Sequence, residues 1–163
     1  MAPLPRELAL TDEQLDSIML STWNMRIATV GPGSRINLTP MWFGWAGGKI
    51  YFYGRGQKIV NLRRDAVCTV LVDLNERFPE LQGAMFQGQA QVLESKEDED
   101  ADPDLAAVRQ QMGAKYADGH PEREGEDPPL NTSTAGGRSR RWVVVTPDRR
   151  VTWDNFKLDR LRR

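Results

Sequence analysis

The chain has 163 residues, enough for one domain with a hydrophobic core of its own. Hydrophobic residues make up 39% of the sequence and charged residues 28%, which is typical of globular proteins and excludes disordered or fibrous ones. No stretch approaches the roughly 20 apolar residues of a membrane helix, and the first residues lack the apolar core of a signal peptide. We therefore expect a cytoplasmic protein that has no membrane partner.

The single cysteine and the single histidine restrict the possible chemistry. Cys68 has no second cysteine with which to form an intramolecular disulfide or a Cys-ligated zinc site. His120 as the one histidine excludes His-rich metal sites. We expect no metal centre, a buried Cys68 within a strand, and His120 on the surface of a loop.

The net charge of −1 hides a strong segregation of charge along the chain. Residues 94–104 contain seven acids and one base, and residues 118–127 contain five acids and one base. Such runs are typical of solvated loops, which is how we interpret both. The remaining chain carries 20 basic and 11 acidic residues, which suits a polyanionic ligand such as a phosphorylated cofactor or a nucleic acid.

The first part of the chain predicts one helix followed by three strands. Thr11 and Gln14 have the spacing of a capping box, which starts a helix over residues 11–21. Strands are predicted over residues 23–30, 35–45 and 50–53. Pro40 interrupts the second strand and marks an edge or a bulge, and Ala46-Gly-Gly-Lys49 predicts a tight hairpin. Together these strands predict an antiparallel meander.

The second part predicts further strands separated by two helices. The strands are expected at residues 67–74, 84–93, 142–146 and 150–153, and the helices at 56–65 and after an Asp102 cap with Pro103 at the first helical position. Residues 117–139 are rich in Gly, Pro and charge and predict a long mobile loop. Six or seven short strands with few helices indicate a mainly β protein, an antiparallel β-barrel forming a single domain over residues 1–163.

A segment rich in glycine and basic residues offers a phosphate site where a strand gives way to a helix. The strand ends at Gly54, and Gln57 and Lys58 open the helix that follows. Free backbone N–H groups at a helix start, together with Arg55 and Lys58, can cradle a phosphate. The alternative is an ordinary turn with surface bases, since the segment has no Walker or dinucleotide fingerprint.

The second chemically suggestive stretch is Leu38-Thr-Pro-Met-Trp-Phe43. The proline leaves backbone groups that a strand ladder cannot use, and Met41 and Trp42 could face a flat ring. The alternative is that these large apolar side chains fill the core.

The order of the motifs resembles that of the pyridoxamine 5′-phosphate oxidase-like, FMN-binding split β-barrel proteins, and more narrowly their actinobacterial branch that binds the deazaflavin coenzyme F420. The matching pieces run in family order over residues 15–158: Arg26-Ile-Ala-Thr-Val-Gly31, Leu38-Thr-Pro-Met-Trp-Phe43, Ile50-Tyr-Phe-Tyr53, Lys58-Ile-Val-Asn-Leu-Arg-Arg-Asp65, Phe86-Gln-Gly-Gln-Ala90 and Val151-Thr-Trp153. Two departures are Gly56-Gln57, where the family often has Ser before its lysine, and Asp65-Ala66-Val67, where it commonly has Asp-Pro-Arg.

This resemblance implies a homodimeric split β-barrel whose cofactor lies across both subunits. It implies that Arg55, Lys58 and Asn61 hold the phosphate and the neighbouring tail, with backbone contacts from Gln57 and Ile59. The ring site would be lined by Pro40, Met41 and Trp42, and completed by Phe86, Gln87 and Gly88 of the other subunit.

The expected activity is hydride transfer between coenzyme F420 and a small conjugated substrate, with no assigned catalytic residue. Three alternatives stay open: an FMN-dependent oxidase or reductase on the same barrel, a non-catalytic F420 carrier, and a nucleic-acid-binding barrel. The last is disfavoured because the aromatic residues cluster in apolar runs and do not alternate with bases. We therefore expect no nucleic-acid partner.

Overall fold

The computed structural model describes residues 6–117 and 140–158, and every structural statement below concerns those residues. The helices are α1 (Asp12–Ser21), α2 (Gln57–Arg64), α3 (Lys96–Ala101) and α4 (Leu105–Lys115). The strands are β1 (Met25–Val30), β2 (Ile36–Met41), β3 (Gly44–Ala46), β4 (Lys49–Gly54), β5 (Val67–Leu74), β6 (Gln82–Leu93) and β7 (Arg141–Asp154). All seven strands form one antiparallel sheet in the order β2-β1-β5-β6-β7-β4-β3, which confirms the expected mainly β fold.

Helix α1 begins as its capping residues predict. The Thr11 side chain accepts a hydrogen bond from the Gln14 amide (3.1 Å), and the Gln14 side chain accepts one from the Thr11 amide (3.0 Å). The helix buries Leu15, Ile18 and Met19 against the sheet. Its position is therefore fixed by one apolar face and a satisfied N-terminus.

The predicted three-strand meander is wrong, because the second of its strands divides into two. Its first half, β2, pairs with β1, whereas its second half, β3, pairs with β4 at the opposite edge of the sheet. The break falls after Met41, and Pro40 stays paired with Arg26 in an edge strand that tolerates a missing N–H. Only Trp42 and Phe43 join the two edges, so the sheet must curl into a barrel that meets itself at this corner.

The two strands predicted at the C-terminal end are one strand, β7, with an irregularity near its middle. Gly88 lies opposite Pro147 and Gln87 lies opposite Arg149, so Asp148 has no opposite residue in β6. Such a bulge accommodates Pro147, which cannot donate to the strand ladder. The turn signals in the sequence therefore mark a bulge within a strand.

The first acidic run is not the solvated loop that the sequence predicts. Ser95 and Asp98 form a capping box that starts α3 inside the run. The following helix, α4, is capped by Asp104 rather than Asp102, and Asp102 instead accepts a hydrogen bond from the Asp104 amide (3.0 Å). The predicted apolar face of α4 is confirmed, because Leu105, Val108 and Met112 are all buried.

The hydrophobic side chains form two layers on opposite sides of the sheet. The barrel interior contains the largest cluster, which includes Met25, Ile27, Phe52, Val70 and Phe86, and the buried Cys68 belongs to it as expected. A second layer lies between α4 and the outer face of β4 and β7: Tyr51, Leu93, Leu105, Val108, Met112, Tyr116, Trp142 and Val144. Helix α4 thus covers one side of the barrel.

Away from α4, the outer side of the barrel has no covering helix among the described residues. Strand pairing aligns two rows across it: Pro40, Arg26, Leu71, Met85 and Val151 in one, and Leu38, Ala28, Thr69, Gln87 and Arg149 in the next. With Ile36 beside them, these residues are named here the open sheet face. Ile36 and Leu38 are 64% and 62% exposed, which is unusual for large aliphatic side chains in a sheet.

None of the helices in residues 6–117 and 140–158 has the length and apolar character needed to span a bilayer. The predicted loop at 117–139 lies outside the described residues except for its first residue, and so does His120.

Candidate functional site

The start of α2 presents polar backbone groups at the end of a strand. Strand β4 ends at Gly54, and Gly56 takes a φ of +81°, a conformation that favours glycine. Gly56 offers no side chain to cap the helix, and the first amides of any helix lack an acceptor within it. Helix α2 therefore directs uncapped N–H groups and the positive end of its dipole outward.

Two basic side chains flank this helix start. Lys58 donates from Nζ to the Arg55 carbonyl oxygen (3.0 Å), and Arg55 itself is exposed. Burial, and then the neighbouring Arg55 guanidinium, lower the pKa of Lys58. A nearby anion would relieve the repulsion between these two cations. The donor set of amides, a guanidinium and an ammonium fits a phosphate group, and we call Arg55–Lys58 the α2 cradle.

Other predicted phosphate contacts are part of the scaffold of α2. Asn61 is fully buried, donates to Thr29 Oγ1 (3.1 Å) and Asn37 Oδ1 (2.7 Å), and accepts from Gln57 Nε2 (2.9 Å). Its amide thereby joins α2 to β1 and β2. Ile59 is buried in the barrel interior, and its amide, for which the resemblance implies a ligand contact, donates to the Gly56 carbonyl oxygen (3.0 Å). The sequence analysis did not predict Thr29 and Asn37, whose signal was a short polar side chain within a predicted strand.

The predicted ring-site residues point in different directions. Pro40 is exposed on the open sheet face. Met41 turns inward, and its Cε lies 3.4 Å from the position that a Cβ on Gly54 would take, which places it close to the α2 cradle.

Trp42 packs toward the C-terminal end of α4. Its ring stacks on Tyr116 at 4.4 Å with an interplanar angle of 1°, and meets Trp23 edge-to-face at 6.1 Å. Its half-buried side chain packs against the second apolar layer, as the core-filling alternative predicts.

The three residues expected from a second subunit also do not lie on one side of the sheet. Phe86 is buried in the barrel interior, where its ring lies 5.6 Å from that of Trp45. Gln87 projects onto the open sheet face and is available to a partner. Gly88 lies at the bulge, where a Cβ would come within 2.2 Å of the Thr146 carbonyl oxygen. Of the three, Gln87 alone has a side chain that a ligand on the open sheet face could contact.

A separate cavity, which the sequence analysis missed, opens beside the ends of β4 and β7. Its volume is about 540 Å³, and four of its eight lining residues are basic while two are acidic: Tyr53, Glu94, Ser95, Lys96, Glu99, Arg109, Arg140 and Arg141. The sequence signal for it was the basic pair Arg140-Arg141 where the last strand begins, which composition alone could not connect to α3 and α4. We call it the basic cavity.

Solved structures with the same fold are numerous, and three illustrate their range. A conserved hypothetical protein from Mycobacterium tuberculosis is 24% identical, with a TM-score of 0.77 over 97% of this chain and 93% of that one. An F420 reductase is 20% identical (TM-score 0.58, 86% and 98% covered). An FAD-binding protein from Mesorhizobium loti is 14% identical (TM-score 0.56, 88% and 94% covered). At these identities the likeness shows the fold alone.

No curated protein matches the chain in sequence. The sequence family described as "Pyridoxamine 5'-phosphate oxidase" matches residues 11–154, which run from the cap of α1 to the last residue of β7. The matched region thus contains all seven strands of the barrel and the α2 cradle. By sequence as well as by fold, the chain belongs to the pyridoxamine 5′-phosphate oxidase family of split β-barrels.

Proposed function

We propose that this protein binds coenzyme F420 and transfers a hydride between it and a small conjugated substrate. The observation that carries the proposal is the α2 cradle, in which uncapped helix amides, Arg55 and Lys58 lie together at the start of one helix. The family supports a flavin-type cofactor, because structures of this fold include an F420 reductase and an FAD-binding protein. The sequence resemblance favours coenzyme F420 over FMN.

When bound, such a cofactor supplies the hydride chemistry, and the protein supplies position and electrostatics. Arg55 and Lys58 would hold the phosphate through charge-assisted hydrogen bonds, while Gly56 lets the backbone approach it. Asn61 would act indirectly, by fixing α2 against β1 and β2. Met41 is the predicted ring contact that lies close to the cradle, so we assign it to the cofactor side of the site.

We also propose that the protein is a homodimer, with the open sheet face as its interface. The face spans five strands, carries exposed Ile36 and Leu38, and has no covering helix among the described residues. Gln87 and Pro40 lie on it, so a second subunit there would bring one protomer's Gln87 toward its partner's site. This arrangement supports a cofactor shared between subunits.

The test is a titration of purified protein with coenzyme F420 and, separately, with FMN, followed by fluorescence. Binding of coenzyme F420 but not FMN is the expected result, and preferential FMN binding would replace the proposal by a flavin-dependent enzyme. Reduction or oxidation of the bound coenzyme is then tested with conjugated acceptors and donors. Tight binding with no turnover across such a panel would indicate a carrier.

A further inference from the structure

The basic cavity holds its cations in fixed positions. The Arg109 guanidinium donates to Glu99 and lies over the Trp142 ring, 5.6 Å from its centroid. The Arg140 guanidinium lies 5.9 Å from the centroid of the Tyr53 ring. Glu94 accepts from Nε (2.5 Å) and a terminal nitrogen (2.6 Å) of Arg63, a residue of α2 outside the cavity lining. These contacts give the arginines defined orientations before any ligand is present.

The acidic residues of the lining do not neutralise its bases. Glu94 is shared between Arg63 and Arg141, whose Nε lies 3.3 Å from Glu94 Oε2, so one carboxylate faces two guanidinium groups. The hydrogen bond from Arg63 lowers the pKa of Glu94, which keeps that carboxylate ionised. Glu99 pairs with Arg109 and Asp100, outside the lining, pairs with Lys96, whereas within the described part of the chain no carboxylate pairs with Arg140. The lining therefore keeps an excess of positive charge.

The size of the cavity indicates which kind of ligand could bind there. Ligand pockets are typically about 300–1,000 Å³, and the volume of about 540 Å³ is within that range. A cavity of this size has room for an organic molecule rather than for a single small ion. Planar guanidinium groups bind carboxylate and phosphate oxygens through paired hydrogen bonds. The Tyr53 side chain adds a hydroxyl and an aromatic surface to the lining.

We propose that the basic cavity is a binding site for a small organic polyanion, recognised through its carboxylate or phosphate groups by Arg109, Arg140, Arg141 and Lys96. The site is separate from the α2 cradle, since Arg55 and Lys58 do not line it. The proposal therefore stands whether or not coenzyme F420 is the cofactor. It assigns a function to side chains of the acidic run and of the start of β7 that the proposed hydride transfer leaves unused.

The test uses citrate as the probe, measured by isothermal titration calorimetry on the whole protein at fixed ionic strength. We expect saturable binding that Arg140→Gln weakens about fivefold to tenfold, because a charge-assisted contact is lost at a partly open site. Arg35→Gln removes the same charge from an exposed residue outside the cavity and should change the affinity less than twofold. Lys96→Gln provides a second cavity variant should Arg140→Gln fail to fold.

Lys58→Ala distinguishes the two anion sites. The proposal predicts unchanged citrate binding in this variant, whereas a loss of binding would place citrate in the α2 cradle and overturn the assignment. The absence of saturable citrate binding to the wild-type protein, or equal affinities for Arg140→Gln, Lys96→Gln and Arg35→Gln, would also overturn it.

Discussion

Gly88 lets two neighbouring backbones approach more closely than any side chain would allow. The position of its absent Cβ lies 2.2 Å from the Thr146 carbonyl oxygen and 2.8 Å from the Pro147 Cα. Both neighbours are backbone atoms beside the bulge of β7, so they cannot move aside as a flexible side chain could. The family resemblance places Gly88 at a cofactor site, and its position in this fold gives it a structural role as well.

Gly88→Ala should therefore destabilise the protein by about 2–3 kcal/mol, as overpacking of a close contact does. Gly113→Ala is the matched control, because Gly113 lies within α4 and nothing approaches its Cβ position within 4 Å. There the substitution should stabilise the fold by about 0.5–1 kcal/mol. Urea unfolding followed by circular dichroism measures both, and a Gly88→Ala variant as stable as the wild type would contradict the close contact.

Lys58 should contribute to cofactor affinity far more than to stability. A charge-assisted hydrogen bond contributes about 1.5–3 kcal/mol, so Lys58→Ala should weaken binding of coenzyme F420 by roughly ten- to a hundredfold. Arg64→Ala is the control at the other end of the same helix, where the guanidinium donates to the Val30 carbonyl oxygen. Titrations at low and high salt compare the variants, and an unchanged dissociation constant for Lys58→Ala would exclude this lysine from the site.

The sequence could identify the α2 cradle because glycine and basic residues at a strand-to-helix junction are a local signal. It could not show that Asn61 is buried, since its partners Thr29 and Asn37 lie on strands far from it in the chain. For the same reason the sequence could not decide whether Trp42 is a ring contact or a core residue, because its stacking partner Tyr116 is distant in the chain.

Helix α4 is joined to α1 and to the corner between β2 and β3 by the half-buried amine of Lys115. Lys115 Nζ donates to the Met19 carbonyl oxygen (3.2 Å), in the last turn of α1, and to the Phe43 carbonyl oxygen (3.5 Å). It also lies 4.0 Å from the centroid of the Phe43 ring. Burial lowers the pKa of Lys115 to about 8. Because the pKa of Lys115 differs between the folded and the unfolded state, the free energy of unfolding depends on pH.

The sign of that dependence follows from the lowered pKa. In the unfolded chain a lysine keeps a pKa of about 10.4, so between pH 8 and 10 the unfolded state binds more protons at Lys115 than the folded state. The charge on Lys115 therefore costs stability below pH 8, and this cost declines as the pH rises to 10.

We therefore compare the free energy of unfolding of the wild type with that of Lys115→Met. The wild-type value minus the variant value should increase between pH 7.5 and 10. The difference is the proper measure, because burial raises the pKa of Tyr116 to about 12 and the pKa of Cys68 to about 12, and both favour unfolding at high pH. Chemical denaturation at several pH values measures it. A difference that stays constant across this range would mean that Lys115 does not titrate there.

Among the elements, the sequence predicts those with a strong local pattern and misses the one with none. Strand β5 was predicted at its observed bounds because a continuous apolar run is typical of a buried strand. Helix α3 was missed because five of its six residues are polar or charged and nothing in it is buried. A capping box, one ion pair within the helix (Lys96–Asp100) and one with Arg109 of α4 take the place of an apolar face.

At the scale of the whole molecule, the open sheet face predicts the oligomeric state. Light scattering should report a dimer of the 18.5 kDa chain at micromolar concentration, since a stable interface buries about 800 Å² on each subunit and this face spans five strands. Leu38→Arg places a charge among its exposed aliphatic side chains and should shift the protein toward monomer. Leu20→Arg is the control, on an exposed position of α1. A monomeric wild-type protein would contradict the prediction.

The total of seven strands agrees with the prediction only because one predicted strand divides into β2 and β3 while two predicted strands are one, β7. The β-barrel class was predictable, because most strands have a local signal of their own. The order of the strands in the sheet was not predictable, since it depends on which strand edges pair with one another. The division of one predicted strand into β2 and β3 decides the topology, and it occurs at Trp42 and Phe43, where no turn residue marks it. Local patterns predict elements, whereas pairing over long separations determines the barrel.

The position of β7 between β4 and β6 has a consequence for how the chain acquires its fold during synthesis. Ile50 in β4 pairs with Val145, about 95 positions later, and β3 is joined to the sheet through β4. The β3–β4 hairpin can therefore form early but cannot join the rest of the sheet until the last strand has left the ribosome. Contacts of such long sequence separation are formed slowly. During that interval the apolar faces of β4 and β6 lack their shared neighbour, which makes the nascent chain dependent on protection from aggregation.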